Sequence, residues 1–419
     1  MNHLYNIFKA HPSVSTDSRK VNTGDLFFAL KGDNFNGNDY AQKAIEAGAA
    51  YAVIDRPVDS GDNFILVPDV LEALQHLAQL HRKEMGTRVV ALTGTNGKTT
   101  TKELIAAVLE TRYQICATQG NLNNHIGVPL TLLRINRSTQ IAVIEMGANH
   151  LGEIAELTAI AQPDYGLVTN VGKAHLEGFG SLQGVMQTKG ALYEAAKVLF
   201  VNADNTLLCE MAAQRGGQKE KRLYGLHYQK ASILPVDEQH PFLRLQLPDY
   251  PTIETHLIGA YNADNVLAAL AVGACFGVEP ALAAEAIKNY KPTNNRSQWM
   301  QTVRNRLIID AYNANPTSMA AALDNFEQLH AAHKVVILGD MLELGADSEQ
   351  EHRTLVERLI SLQKIGKIEQ LFLVGPRLGN HFADVFELKN YLSLHPLTNA
   401  TILIKGSRGM RLEQVLEVL

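Results

Sequence analysis

ALTGTNGKTTTKELI, residues 91–105, runs from an apolar strand through a glycine-rich turn directly into a helical pattern. The turn carries Gly94, Gly97, Lys98 and Thr99. Strand, turn and helix in that succession are the setting a phosphate-binding loop requires. Glycines let backbone N–H groups turn toward phosphate oxygens, and the helix N-terminus adds partial positive charge. Lys98 reaches the β and γ phosphates, and the Thr99 hydroxyl is available to magnesium. The general P-loop pattern has a further glycine where Leu92 stands, so the segment fits a shorter GTNGKT form, completed by Thr95, Asn96 and Thr100. The alternative is a glycine-rich turn before an ordinary capped helix. ATP is the expected ligand.

A loop of this kind needs a sheet behind it, and the flanking sequence supplies one. From Arg88 the chain alternates apolar runs with helical patterns: RVVALT, IAVIEM, YGLVTN and KVLFVN each precede a helix, the signature of parallel βαβ units. Before it, DLFFAL, YAVID and FILVPD alternate with the helical AQKAIEAGA, which predicts a small mixed α/β domain; a helix from Val70 to Glu84 leads out of it. After it, FLRLQL and IETHLI read as antiparallel strands appended to the central sheet, and helices start near Asn262 and Pro280. The polar stretch KPTNNRSQ, from Lys291 to Gln298, reads as a linker. RLIID, KVVILGD, QLFLVG and TILIKG then restart the βα rhythm and predict a second doubly wound sheet. The expected architecture is α/β in three domains: residues 1–85, a small mixed α/β domain; 86–292, a central P-loop parallel-sheet ATPase domain; and 293–419, a Rossmann-like C-terminal domain.

Composition agrees with an ordinary multidomain globular protein. The 419 residues are 46% hydrophobic and 19% charged, enough for several cores. With 38 basic and 43 acidic side chains the net charge is -5, so no broad cationic surface faces a nucleic acid. Cys116, Cys209 and Cys275 lie far apart in apolar runs and are expected to be buried free thiols. The N-terminal MNHLYNIFKAHPS has neither a basic start before an apolar stretch nor a small-residue cleavage site, and no apolar run is long enough to span a bilayer. A cytoplasmic monomer without membrane insertion is the expectation.

The sequence GTNGKTT resembles the signature of the Mur ligases and of the related folylpolyglutamate synthetases. NLNNHIGVPLTLL (121–133), IEMGANHLGEI (144–154), NVGKAHLEGFGSLQGVMQTKGALYE (170–194), DAYNANPTSM (310–319), LGDMLELG (338–345) and KGSRGM (405–410) extend that resemblance over nearly the whole chain. They are similar to the branch of the family that joins D-alanyl-D-alanine to a UDP-N-acetylmuramoyl tripeptide. The implied reaction transfers the γ-phosphate of ATP to a carboxylate and passes the resulting acyl phosphate to an amine, with two magnesium ions. Addition of a single amino acid to the same nucleotide, addition of glutamate to a folate, and a nucleotide-operated switch that forms no bond remain open. Two positions depart from the family pattern: Asn38 in FNGNDY stands where relatives carry histidine, and Arg296 lies in NNRSQ rather than after Pro-Gly.

Individual residues acquire roles on this frame. Glu145 ends the apolar IAVIE and should emerge beside the P-loop as a magnesium ligand, a solvated strand-end glutamate being the alternative. His175 follows the strand YGLVTNV toward the same edge, where the resemblance makes it a ligand of a second magnesium instead of a loop histidine. Asn262 and Asn265, at i and i+3, are placed to face the base; capping is the alternative for Asn262. Asp310 is placed to accept from ribose hydroxyls or to serve a turn up to Pro316. Arg296, in the interdomain linker, is expected to act as a cis arginine finger on the γ-phosphate, against a surface role. The resemblance assigns substrate contacts to Asn123 and Asn124, and the uridine diphosphate end to Ser18, Arg19 and Lys31, where a polar turn is the alternative. It also aligns Lys189 with a lysine that carries a carbamate, against an ordinary solvated helix lysine.

Overall fold

Strands covered by helices on both faces are apolar at consecutive positions, and the central runs behave in this way: every residue of the strand Ile141–Glu145 is buried, as is all of Arg88–Thr93 after its first residue. The computed structural model describes residues 2–57, 61–236, 240–293, 296–379 and 381–419. Its central sheet is wholly parallel, in the order Ile115–Ala117, Ile141–Glu145, Arg88–Thr93, Tyr165–Val168, Val198–Asn202, Glu220–Tyr224. Arg88–Thr93, first of these in the chain, therefore has the third and fourth on its two sides. Connections leave it in opposite directions, which opens a crevice at the carboxyl ends of these strands. The Gly94–Lys98 turn enters that crevice.

Helices Lys98–Glu110 and Ala263–Cys275 cover one face of this sheet through Leu104, Val108, Val266 and Leu270. The other face is covered by Val70–Met85 and Gly127–Leu133. Helix Val70–Met85 does more than lead out of the first domain. It is capped by Asp69, packs Leu74 and Leu77 into one core with Leu4 and Phe28 on one side and Ala91 and Ile144 on the other, and pairs Arg82 with Asp164 at 2.8 Å. Its His81 is buried against the edge of Phe8, with Tyr5 Oη 3.3 Å from Nδ1 and the Ile135 carbonyl 2.7 Å from Nε2. The first domain carries its own parallel sheet: Val14–Ser15, Leu26–Phe28, Tyr51–Ile54, Phe64–Leu66.

The expectation that the strands near residues 242–258 extend the central sheet is corrected. Ser232–Ile233, Arg244–Gln246 and Ile253–Glu254 form a separate antiparallel sheet whose strand Ile253–Glu254 packs on helix Pro280–Asn289 and whose Leu245 and Ile253 share one core with Ala283 and Ile287 of that helix. The linker also ends earlier than its polarity implies. Gln298–Gln301 is an antiparallel edge strand of the third sheet, which runs Gln298–Gln301, Arg306–Asp310, Thr401–Lys405, Lys334–Gly339, Gln370–Val374. Trp299 on this edge strand meets Phe242 edge-on at 6.4 Å and lines a groove between the antiparallel sheet and the third domain, with Leu243, Ile258 and Ile308. Asn294 and Asn295 of the linker lie outside the described residues.

All three cysteines are unpaired, but only Cys116 is buried; Cys209 and Cys275 are partly exposed because they sit at the margins of their helices' apolar faces. Among the described residues no helix is long and apolar enough to cross a membrane.

Candidate active site

The crevice opens into a cleft of about 660 Å³ between the central and third domains. Its floor is the glycine-rich turn. Gly94 has φ +153°, and a Cβ there would collide with Thr169 Oγ1; Gly97 has φ +78°, and a Cβ would lie 2.5 Å from Asn265 Oδ1. Both glycines are thus required by the neighbouring strand and helix as well as by the turn. The loop is tied to the adjoining strand end: Thr95 N donates to Asn170 O at 3.0 Å, Asn96 N to Asn170 Oδ1 at 2.9 Å, and Thr169 Oγ1 to Asn96 O at 2.7 Å. Lys98 folds back over the turn and donates to the carbonyls of Gly94 and Thr95 at 2.8 and 3.1 Å. Burial pushes its ammonium down to about 8, against the pull of Glu145; the charge of Arg296 adds to the depression.

Glu145 is buried at the end of its strand. Its Oε1 accepts from Asn123 Nδ2 at 2.8 Å and from Thr99 Oγ1 at 3.3 Å, while Oε2 is enclosed without a partner. A buried carboxylate oxygen left unpaired beside a threonine hydroxyl and a phosphate-binding turn is an arrangement that suits magnesium, which takes one or two carboxylates and completes its shell with phosphate oxygens and water. Among the described residues no three His, Cys, Asp or Glu side chains gather into a self-sufficient metal cage. Asn124 turns its Oδ1 inward to the backbone N–H groups of Ile126 and Gly127, so it shapes the cleft wall as a local cap.

His175 lines the same cleft at φ +50°, and its Nδ1 lies 2.6 Å from Oε2 of Glu343 in the third domain. Hydrogen bonding to this imidazole holds the Glu343 carboxyl below its usual range. Lys189 stands behind the cleft on helix Leu182–Ala195, 2% exposed, with no hydrogen bond or ion pair among the described residues and with Nζ 5.6 Å from the Phe179 ring centroid. Burial, reinforced by the charge of Lys98, drives its amine well below the usual lysine range.

The opposite wall begins at helix Ala263–Cys275. Asn262 is not a side-chain cap; its amide nitrogen donates to Ile258 O at 2.8 Å and Ser297 Oγ at 3.3 Å, and its oxygen accepts from Asn265 at 2.8 Å. Ser297, at φ +48°, also bonds Tyr261 Oη at 2.9 Å and donates its N–H to Asp310 Oδ1 at 3.3 Å. Asp310 pairs with Lys405. Asn315 caps helix Pro316–Gln328 in a capping box and bonds Asn96 across the domain boundary at 2.8 Å. Arg296 projects into the cleft over the ring of Tyr312.

Thr95, Asn96, Gly97, Lys98, Thr100, Asn123, Asn124, Glu145, His175, Asn262, Asn265, Arg296 and Asp310 thus share one cleft, with Gly94, Thr99 and Lys189 directly behind it. Ser18, Arg19 and Lys31 do not line it. Arg19 is exposed and paired with Asp17 at 2.8 Å; Lys31 pairs with Asp55 at 2.9 Å; and Asn38 donates to Asp55 Oδ1 at 2.8 Å, so the residue that departs from the family pattern holds the carboxylate that Lys31 meets. Tyr312, Asn315, Glu343 and Lys405 received no role from the sequence although each lies inside a family motif. Their partners are far away in the chain, and no spacing announces them.

A phosphate loop at the switch point of a parallel sheet, facing a third domain across a polar cleft, defines an ATP-using enzyme of the three-domain ligase type. Three family profiles match in succession: "Mur ligase family, catalytic domain" over residues 12–82, "Mur ligase middle domain" over 92–273, and "Mur ligase, glutamate ligase domain" over 295–408. The chain belongs to the Mur ligase family. It is 37% identical to the UDP-N-acetylmuramoyl-tripeptide--D-alanyl-D-alanine ligase of Bacillus subtilis, over 96% of this chain and 92% of that one, and 36% identical to the Escherichia coli enzyme of the same name, over 97% and 93%. The fold is similar to the crystal structure of MurF from Acinetobacter baumannii (TM-score 0.86, 29% identity, 97% and 92% of the two chains). It is also similar to the MurF ligase of Thermotoga maritima in complex with ADP (TM-score 0.85, 26%, 97% and 96%).

Proposed function

We propose that this chain joins D-alanyl-D-alanine to a UDP-N-acetylmuramoyl tripeptide at the expense of ATP, in the synthesis of peptidoglycan precursors. One observation carries the reading: a single cleft gathers the phosphate loop, the unpaired Glu145 oxygen and Arg296, from two domains. Relatives at 36–37% identity over nearly the full chain supply the substrate class.

In this reading residues 1–85 hold the uridine diphosphate end through Ser18, Arg19 and Lys31, residues 86–292 hold ATP, and residues 293–419 hold the amine. The backbone N–H groups of residues 94–100 and Lys98 cradle the phosphates. Asn262 and Asn265 face the base, and Asp310 the ribose. Thr99 with Glu145, and His175 once released from Glu343, are the residues that hold two magnesium ions. Magnesium offsets the charge of an anionic nucleophile approaching an anionic phosphoryl group. A carboxylate oxygen of the tripeptide attacks the γ-phosphorus and ADP leaves. The amine nitrogen then attacks the acyl carbon, phosphate departs, and the amine's proton passes to solvent. Arg296 stabilises charge on the phosphoryl group in transit. Lys189, whose burial disfavours the charged form of its amine, adds to carbon dioxide with loss of a proton and becomes an anionic carbamate behind the cleft. Asn123 and Asn124 shape the carboxylate's approach. The domains close on the substrates because water would hydrolyse the acyl phosphate. The enzyme works as a cytoplasmic monomer, where ATP and the nucleotide-sugar meet.

Phosphate release measured with each substrate omitted in turn tests the reading, with products read by mass spectrometry. Sustained release that needs both tripeptide and dipeptide is expected. Release indifferent to both would make the protein a nucleotide switch, and ligation of a single amino acid would make it a sister ligase.

A further inference from the structure

The guanidinium carbon of Arg296 lies 3.7 Å from the centroid of the Tyr312 ring, and that of Arg408 lies 5.0 Å from the same centroid. A separation of 3.7 Å is van der Waals contact, close enough only for two planar groups lying face to face. Arg296 has no carboxylate partner among the described residues, and its Nε is enclosed without a hydrogen bond. The cation that shares its wall of the cleft is differently held: Lys405 is paired with Asp310. An arginine bound to a carboxylate spends donors of its fork on that partner and has its charge neutralised. An arginine held by an aromatic face is fixed in orientation while its N–H groups, which lie in the guanidinium plane, stay free for an anion.

The geometry points to Tyr312 as the positioning residue for Arg296: its ring holds the guanidinium in the cleft, with the donors unspent, ready for the phosphoryl group. This rests on the proposed ligase reaction and names a residue that acts through another. Two further features fit. Ser297, the next residue, is clamped by Tyr261, Asn262 and Asp310, so the backbone of Arg296 is fixed as well as its tip. Tyr312 stands two residues beyond Asp310 at the carboxyl edge of the third sheet, so the ring travels with the third domain, and the stacked guanidinium follows whatever movement that domain makes.

The test compares Tyr312→Phe, Tyr312→Leu and Tyr312→Met in the full-length chain, alone and combined with Arg296→Ala. Ligation by the parent protein is the precondition; a parent that does not ligate overturns the functional reading and is separate from the outcomes below. Loss of the ring face should lower kcat by about 5- to 30-fold in the Leu and Met variants, the range a cation–π contact spans, with KM for ATP changed less than about 3-fold. The Phe variant, which keeps the face and loses only the hydroxyl, should recover most of that loss. On the Arg296→Ala background the Leu and Met substitutions should have no further effect, because there is no guanidinium left to hold. A readout independent of turnover is the Arg296 Nε–Hε resonance, assigned by its loss in Arg296→Lys. Its ring-current shift should persist in the Phe variant and vanish in the Leu and Met variants. The inference is overturned if Phe loses as much as Leu, if the loss lies in KM for ATP alone, or if the losses multiply with Arg296→Ala.

Discussion

Asp310 and Lys405 stand opposite each other in register on adjacent parallel strands and close an ion pair of 2.5 Å at the carboxyl edge of the third sheet, where Lys405 is 1% exposed. The ammonium's other partner is the Asn313 carbonyl at 3.2 Å, so it depends on Asp310 for countercharge. Asp310 is the more exposed of the two and keeps the Ser297 N–H. Removing either partner is therefore asymmetric. Asp310→Ala should cost about 3 kcal/mol of third-domain stability, since it strands a buried cation, and Lys405→Met only about 1 kcal/mol. Calorimetric melting of both variants checks the order; a larger loss in Lys405→Met would reverse the argument.

Asn315 has two duties that one substitution separates. Its oxygen caps helix Pro316–Gln328 by accepting from Ser318 N at 2.9 Å, and its amide nitrogen reaches Asn96 of the phosphate loop. Asn315→Asp keeps the capping acceptor and loses the interdomain donor. Melting should stay close to the parent's, while the closed arrangement loses about 1 kcal/mol, a roughly 5-fold shift toward open forms. Small-angle X-ray scattering should record a larger radius of gyration. An unchanged radius would mean that the other boundary contacts suffice.

Lys98 and Lys189 are both depressed by burial, and the two substitutions should separate their parts. Lys98→Ala should abolish ligation with the fold intact, because the side chain stands at the first position of its helix, folds over the glycine-rich turn and belongs to no hydrophobic core. Lys189→Ala should lose activity and regain part of it with added acetate, which returns an anion to the space behind the cleft. Full activity of Lys189→Ala without additive would remove the carbamate from the mechanism.

His81 gives a pH dependence of known sign. Burial between Phe8, Tyr5 and the Ile135 carbonyl lowers its folded-state pKa below that of the unfolded chain, the hydrogen bond to Ile135 opposing in part. The unfolded chain therefore takes up a proton first as pH falls. The stability contributed by neutral His81 is present above about pH 6.5 and lost as pH falls through the folded-state value. Melting temperature followed from pH 7.5 to 5 should decline less steeply in His81→Gln than in the parent; parallel curves would show that this site plays no part in the acid response.

Much of the site was legible in the sequence because its residues lie at the ends of strands that are apolar throughout. Lys98 and Glu145 stand after RVVALT and at the end of IAVIE, and a parallel sheet brings such ends to one edge. The strand Gln298–Gln301 was hidden, since an edge strand with a partner on one side only needs little hydrophobicity, and its first residue, Gln298, reads as the end of the linker. The antiparallel sheet near residue 245 was recognisable as strands, but its neighbour was not, because pairing of three short strands is decided by packing on helix Pro280–Asn289. The partnerships of His175 with Glu343 and of Arg296 with Tyr312 had no local signal at all. The first exists only once the third domain faces the central one, and the second only once the linker arginine folds onto the ring two residues past the strand Arg306–Asp310.

The placement of Trp299 has a practical outcome. The chain has a single tryptophan, and it sits on the first strand after the linker, in the groove where the third domain meets Phe242, Leu243 and Ile258. Any swing of the third domain away from that groove bares the indole to water. The protein thus carries an intrinsic optical probe at its own hinge, and the emission of one side chain follows domain movement without a label.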